Sequence, residues 1–312
     1  MNALVRWGAF LAAMLGIASA CSSAPGGKGR AGTGGGAMAS GGSSSGGATA
    51  SGGSSSGGAP ASGGAAGTAG GGGGVSGGAC RDSSLVFCED FEGAAAGAAT
   101  SPKWTNDMST GASAGTLTID GMHSRGQAAL HVHVAGNGHA MIHVKNFSAP
   151  ANSFHGRLWL WADAFPTAPN YAHFTMVEAA GTGNSSKVRP IGGQYISGSM
   201  GSFWGAGSDG GPTGDWTSWK TSAPTKAQAW VCMQWQMDAS KNAITISIDG
   251  TPQPDLSVST KMNGGTGDFV FPTFNDIWFG WWLYQAGPTP DHFDIWLDDL
   301  ALGTAAIPCE SR

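Results

Sequence analysis

Two stretches near the C-terminus restrict the fold of this chain more than any others: Phe279-Gly280-Trp281-Trp282-Leu283-Tyr284-Gln285 and Phe293-Asp294-Ile295-Trp296-Leu297-Asp298-Asp299-Leu300. Side chains alternate across a strand, so each run has two faces. In the first, Phe279, Trp281 and Leu283 share one face, and Gly280, Trp282 and Tyr284 the other. In the second, Phe293, Ile295 and Leu297 form an apolar row that ends in a pair of aspartates. One face is expected to fill a sandwich core and the other to line a groove of sugar size.

The pattern recurs upstream. Leu130, Val132 and Val134 alternate with His131 and His133; Ala140, Ile142 and Val144 with His139, Met141 and His143. Leu158, Leu160 and Ala162 alternate with Arg157, Trp159 and Trp161, and Phe174 and Met176 with Tyr171, His173 and Thr175. A merely solvated face would carry Lys, Glu, Thr and Ser. Faces of Trp, His, Arg and Tyr instead offer platforms and hydrogen-bonding groups for sugar rings. From Cys80 to Cys309 the runs are short, turn signals separate them, and no amphipathic helix stands out. The expectation is one all-β sandwich domain over residues 80–312. Gly198–Thr221, with Phe203, Trp204, Trp216 and Trp219, reads as a long glycine-rich loop of the functional kind. His131, His133 and His143 read as exposed strand histidines rather than a transition-metal cluster, since no acid supports them.

Composition separates this domain from what precedes it. The chain has 312 residues, 54 of them glycine, and only 11% charged residues. Much of the glycine lies between Ser22 and Ala79, a Gly/Ser/Ala segment without aromatic residues or acids. Such a segment buries too little apolar surface to offset its ordering entropy, so it is expected to be a tether spanning roughly 40–45 Å. Residues 1–20 carry an early Arg6 and an apolar run, and end in Ala18-Ser19-Ala20, the pattern of a secretory signal peptide. Cys21 in the next position fits a lipidation site. Residues 21–79 would then be a lipidated cysteine and its spacer, anchoring an exported protein at the outer membrane or cell surface. Plain secretion is the competing expectation. The four remaining cysteines, Cys80, Cys88, Cys232 and Cys309, are an even number in an exported domain and imply two disulfides with all three pairings open. A net charge of −5 argues against nucleic acid as a partner.

Several short motifs fall in a particular order: Phe91-Glu92-Gly93, His123-Ser124 with Gly126, Gly138-His139, Arg157-x-Trp159, Ile191-Gly192-Gly193-Gln194, Phe279-Gly280-Trp281, Trp296-Leu297-Asp298-Asp299 and Cys309. Taken together they resemble the core domain of the cellulose-induced secreted proteins of fungi and their bacterial relatives. The resemblance covers nearly all of Cys88–Cys309. It implies a β-jelly-roll fold similar to glucuronan lyases and, more distantly, alginate lyases, with an open cleft for a polysaccharide. It also implies a structural calcium ion held by Glu92, Ser124 and Asp299, tying the chain ends together; hard oxygen donors are what calcium takes. The family's basic residue before Gly-Gly-Gln aligns with Pro190 here, and its histidine two places earlier with Val188. Arg189 stands one place too early, so it reaches the cleft only if Pro190 introduces a bulge.

Lyase chemistry on a uronate needs a group that neutralises the carboxylate, a base for the C5 proton and an acid for the leaving oxygen. Gln194 with Arg157 or Arg189 is expected on the carboxylate, His173 or Tyr284 as base and acid, and His139 nearby. Trp159, Trp161, Trp216 and Trp282 are the expected sugar platforms. Three functions follow: a polysaccharide lyase on a uronate-containing polymer, a carbohydrate-binding lipoprotein without catalysis, and a jelly-roll glycoside hydrolase. The last is least supported, because hydrolysis wants two carboxyl groups flanking one bond and the outward faces offer few. The domain is expected to be a monomer.

Overall fold

The computed structural model describes residues 80, 82–108, 115–210, 216–259 and 270–309. The expected signal peptide (1–20), Cys21 and the tether (21–79) lie outside the described residues. The first half of the domain contains β1 (Leu85–Glu89), β2 (Gly97–Ala98), β3 (Thr105–Asp107), β4 (Thr116–Asp120), β5 (Ala129–Ala135), β6 (His139–Lys145), β7 (Phe154–Ala162) and β8 (His173–Thr182). The second half contains β9 (Lys187–Ile196), β10 (Gly201–Asp209), β11 (Trp216–Pro224), β12 (Val231–Asp238), β13 (Ala243–Ile248), β14 (Thr251–Pro252), β15 (Thr273–Leu283) and β16 (His292–Gly303).

These strands form two antiparallel sheets, the layered sandwich that the alternating faces imply and the jelly roll that the family resemblance implies. One sheet runs β14-β13-β12-β7-β16-β5-β4-β2, with β1 also paired to β16. The other runs β11-β10-β9-β8-β15-β6-β3. The apolar rows meet between them. Phe279, Trp281 and Leu283 of β15 and Ile295 and Leu297 of β16 are fully buried, as are Leu130, Val132, Val134, Leu158 and Leu160. Trp281 spans the gap. Its ring stacks on Phe174 at 4.9 Å and lies 5.0 Å from Phe293 of the opposite sheet. Such a filled aromatic contact contributes beyond the area it buries.

Gly198–Thr221 is not a loop. Its two ends are β10 and β11, which extend the second sheet. Close backbone approach accounts for a glycine on the adjoining strand β9. A Cβ on Gly193 would sit 2.2 Å from the Phe203 carbonyl oxygen of β10. Gly280 is fixed in the same way on the other flank: a Cβ there would meet the Ala140 oxygen at 2.2 Å and Met141 Cα at 2.6 Å. Glycine content in this chain therefore has two sources, and only one of them is the segment before Cys80.

The two disulfides join Cys80 to Cys88 and Cys232 to Cys309. The second pins the C-terminal segment to β12, where Gln234 Nε2 also donates to the Ile307 carbonyl at 2.6 Å. The bonds close spans of 8 and 77 residues. In the chain-entropy treatment these are worth about 2.5 and about 4.5 kcal/mol. Replacing Cys232 and Cys309 with serine is expected to lower the melting temperature more than the same change at Cys80 and Cys88. Parallel thermal melts of the two double variants check the order.

Candidate functional site

The outer face of the seven-stranded sheet carries the polar and aromatic residues that the core rejects. Its centre is built from β8, β9 and β15. Tyr284, just past β15, bonds through its hydroxyl to Thr175 Oγ1 of β8, and accepts from Arg189 Nη1 of β9 at 3.0 Å. Arg189 Nη2 donates to the Ser208 carbonyl at 2.6 Å, which fixes the guanidinium plane. His173 pairs in register with Gln194 across β8 and β9. Directly paired residues share a face, so Gln194 looks the same way as His173. Gln194 is 1% exposed, and its Nε2 has no hydrogen-bond partner among the described residues.

Arg189 is on this face because of its neighbour. Val188 pairs with Ala179 and Ile191 with Val177, so β9 carries one residue more than β8 over this span. The ladder with β10 shifts at the same point, between Gly192 and Arg189. The extra residue is accommodated at Arg189-Pro190, where proline has no amide proton to give the ladder. A second irregularity, between Thr175 and Val177 of β8, does the same for Glu178. Strict alternation groups Glu178 with Phe174 and Met176 in the core. The shift turns it outward instead, so no simple sequence pattern could have found it.

Beside Tyr284 the face opens into a recess of about 240 Å³ lined by Asp107, His139, Met141, Glu178, Lys187, Trp278 and Trp282. By contrast, the space among His173, Thr175, Arg189 and Tyr284 is about 10 Å³, room for roughly one water. The two adjoin, since the Trp282 and Tyr284 rings meet edge to face at 4.6 Å. Lys187 Nζ reaches Glu178 Oε1 at 2.9 Å and lies 5.7 and 5.8 Å from the Trp278 and Trp282 ring centres. Trp278 Nε1 donates to Asp107 Oδ2 at 2.9 Å. His139 tilts against Trp282. Trp278 was findable by parity with Trp282, whereas Asp107 lies on a strand of only three residues, too short to show a period.

The structure thus brings together His173, Gln194, Arg189 and Tyr284, with His139 and Trp282 alongside. Three expected residues lie elsewhere. Arg157, Trp159 and Trp161 are on β7 of the nine-stranded sheet, on the far side of the sandwich. Arg157 is buried and holds the Asp299 and Pro308 carbonyls, so it braces the C-terminal segment and cannot meet a ligand in the groove. Trp159 lies under the Arg125 guanidinium at 3.6 Å, and Trp161 stacks on His123 at 4.4 Å. Both rings are covered by the 123–127 turn. The face of β7 was legible; which sheet it belongs to was not. Trp216 opens β11, and its side chain lies outside what the structure describes. The three histidines are also divided: His131 and His133 bond to Asp120 and Asp294 on the nine-stranded sheet, and His143 to Asp276 on the other.

The expected calcium ligands converge on that 123–127 turn. Glu92 accepts from the Gln127 amide at 3.0 and 3.1 Å, and Ser124 Oγ donates to the Gly126 carbonyl. Asp298 Oδ2 accepts from the Arg125 amide, and Asp299 Oδ2 takes the Arg125 guanidinium at 2.6 Å. Asp298 and Asp299 are almost wholly buried, and Asp299 has a φ of 51°, a left-handed conformation that aspartate tolerates. Oxygen donors from three segments suit calcium chemically. Among the described residues no group of three or more His, Cys, Asp and Glu side chains is arranged to hold a metal. A calcium ion here would therefore lean on Ser124 and backbone carbonyls, and would share Asp299 with Arg125.

Fold and face together define a β-jelly-roll sandwich with an aromatic groove across one sheet. No protein-family model matches the chain, and no curated protein matches it. Among solved structures it is similar to botulinum neurotoxin type C, which depends on two ganglioside molecules to enter cells (12% identity, TM-score 0.42, 65% of this chain and 44% of that one). It is also similar to the PL-14 alginate lyase of Aplysia kurodai (9% identity, TM-score 0.42, 61% of this chain and 87% of that one). The chain spans less than half the length of the neurotoxin it matches. At such identities and TM-scores, any reading of this chain rests on its own geometry.

Electrostatics divides the groove's titratable groups. Burial pushes the Tyr284 phenol up, outweighing Arg189 and Thr175, which pull it down. Burial also holds His139 and His143 below the ordinary histidine value, against the nearby carboxylates Asp107 and Asp276. A histidine whose folded pKa is depressed stays neutral in the fold while the unfolded chain takes up protons. Its contribution is therefore intact above about 6.5 and is lost as pH falls below that. The exposed His292–Asp291 pair shifts the other way, but solvent screens it. Melting temperature is expected to drop between pH 7.5 and 5, with a shallower slope in His139→Gln; melts at half-unit intervals measure both.

Proposed function

We propose that this is a polysaccharide-acting protein of the cellulose-induced secreted type, and that it cleaves a uronate-containing polymer by β-elimination. The observation that supports this most is the meeting of Tyr284, Arg189, His173 and Gln194 on one face, with Gln194 Nε2 buried and unpartnered. An unpartnered buried donor costs roughly 1–3 kcal/mol, and a substrate carboxylate would satisfy it.

Hydrogen bonding supports a division of roles. The His173 amide donates to Gln285 Oε1, so the Gln285 Nε2 group donates to His173 Nδ1 at 3.0 Å. With Nδ1 accepting, the neutral imidazole carries its proton on Nε2. His173 is then a donor, suited with Gln194 and Arg189 to the substrate carboxylate rather than to proton abstraction. Tyr284 is left to move the proton. Its phenolate, stabilised by Arg189, takes the C5 proton; the C5–H electrons form the C4–C5 double bond; the C4–O bond breaks; the same proton returns to the leaving oxygen. Elimination in this sense needs no co-reactant and ends with the phenolate restored.

A second reading, a carbohydrate binder without turnover, draws on the small space beside Tyr284 and the larger tryptophan-lined recess next to it. Two experiments bear on these readings. With glucuronan or alginate, the lyase produces an unsaturated uronate absorbing near ~235 nm, at a rate that rises with pH toward the elevated Tyr284 pKa and falls by about 10²–10⁴ in Tyr284→Phe. Binding to these polymers with no absorbance change sinks the lyase and leaves the binder. We also propose calcium at Glu92, Ser124 and Asp299, supported by the chemistry of its oxygen donors. EDTA is then expected to lower the melting temperature by several degrees and added calcium to restore it. An unchanged melt overturns the calcium site.

A further inference from the structure

The recess beside Tyr284 has a polarity that the lyase reading does not use. We infer that it is a subsite for a neutral, hydroxyl-bearing sugar, so that the substrate is a mixed polymer in which a uronate at Tyr284 adjoins an uncharged hexose at Trp278 and Trp282. This rests on the uronate reading of the Tyr284 site. The juxtaposition behind it is Glu178 and His139 beside two tryptophans in one recess of about 240 Å³.

Glu178 is 3% exposed and His139 8%. Lys187 occupies Glu178 Oε1, while Glu178 Oε2 and His139 Nδ1 have no hydrogen-bond partner among the described residues. A buried carboxylate oxygen can only accept, so it calls for a ligand that brings a proton to share. A sugar hydroxyl does; an ionised uronate carboxylate does not. The charges point the same way. Glu178 and Asp107 present two carboxylates in the recess, and the one lysine there is already bonded to Glu178. A second uronate would meet like charge in a recess whose lining holds no arginine, whereas Arg189 lines the space next door. Burial also keeps the His139 imidazole below its ordinary pKa, so it adds no positive charge at neutral pH. Trp278 and Trp282 supply the apolar ring faces that pyranose C–H groups cover.

Spacing suits adjoining units on one chain. Lys187 and Arg189 are two residues apart on β9, as are Trp282 and Tyr284 at the end of β15, a separation of about 7 Å along a strand. The two halves of the groove thus make opposite demands. One offers donors from Arg189 and Gln194 to an acid; the other offers acceptors to hydroxyls.

Calorimetric titration of the full chain with two size-matched oligosaccharides tests this, one a homoglucuronan and the other alternating glucuronate with glucose. The alternating ligand is expected to bind about tenfold more tightly, and Glu178→Gln to reduce that preference to about twofold by removing the like charge. Equal or tighter binding of homoglucuronan by the wild type overturns the inference, as does failure to bind either ligand, or an unchanged ratio in a Glu178→Gln variant that melts cooperatively. The wild-type ratio decides alone if that variant does not fold. Preference for the alternating ligand without product absorbance upholds the subsite and removes the lyase. Equal cleavage of both upholds the lyase and removes the subsite.

Discussion

Trp281 is the contact on which the two sheets depend. It belongs to β15, an interior strand of the seven-stranded sheet, and reaches across to Phe293 on β16 of the other. Because side chains alternate, seating Trp281 in the core forces Trp282 outward, and the next outward residue is Tyr284. The groove's aromatic floor is therefore a direct consequence of core packing. No separate device is needed to hold those rings up: the strand that carries them is pinned by a fully buried indole, with β8 and β6 bonded on either side.

Much of this architecture was legible in the chain, and the reasons differ by element. β5, β6, β7 and β15 show clean two-residue periods, and their buried rows are the expected ones. β10 and β11 were hidden, because glycines within a strand such as β10 look the same in sequence as glycines that loosen a loop. Sheet membership was hidden too. Arg157, Trp159 and Trp161 sit on an outward face with the right chemistry, but alternation says nothing about which of two sheets a strand joins.

At the site, the difficulty lay in irregular pairing. Pro190 gave a cue that the ladder of β9 would slip, and Arg189 does face the groove. No such cue marks the slip in β8 at Met176, and with it Glu178 went unseen. Bulges at both places add side chains of one strand to a face that strict alternation would deny them. The polar chemistry of the groove is concentrated where β8 and β9 slip, and Trp282 too stands at a register shift, that of β15 against β8.

The position of β16 has a consequence for how the molecule is made. This last strand lies between β7 and β5 and also pairs with β1, so the first and last described strands of the domain are neighbours. A growing chain cannot complete the nine-stranded sheet until β16 has been synthesised. Before then β7 and β5 each present an open edge, and Arg157 lacks the Asp299 and Pro308 carbonyls it is built to hold. Contacts so distant in sequence close late and slowly. Closure of this sheet is thus deferred until β16 is available to enter between β7 and β5.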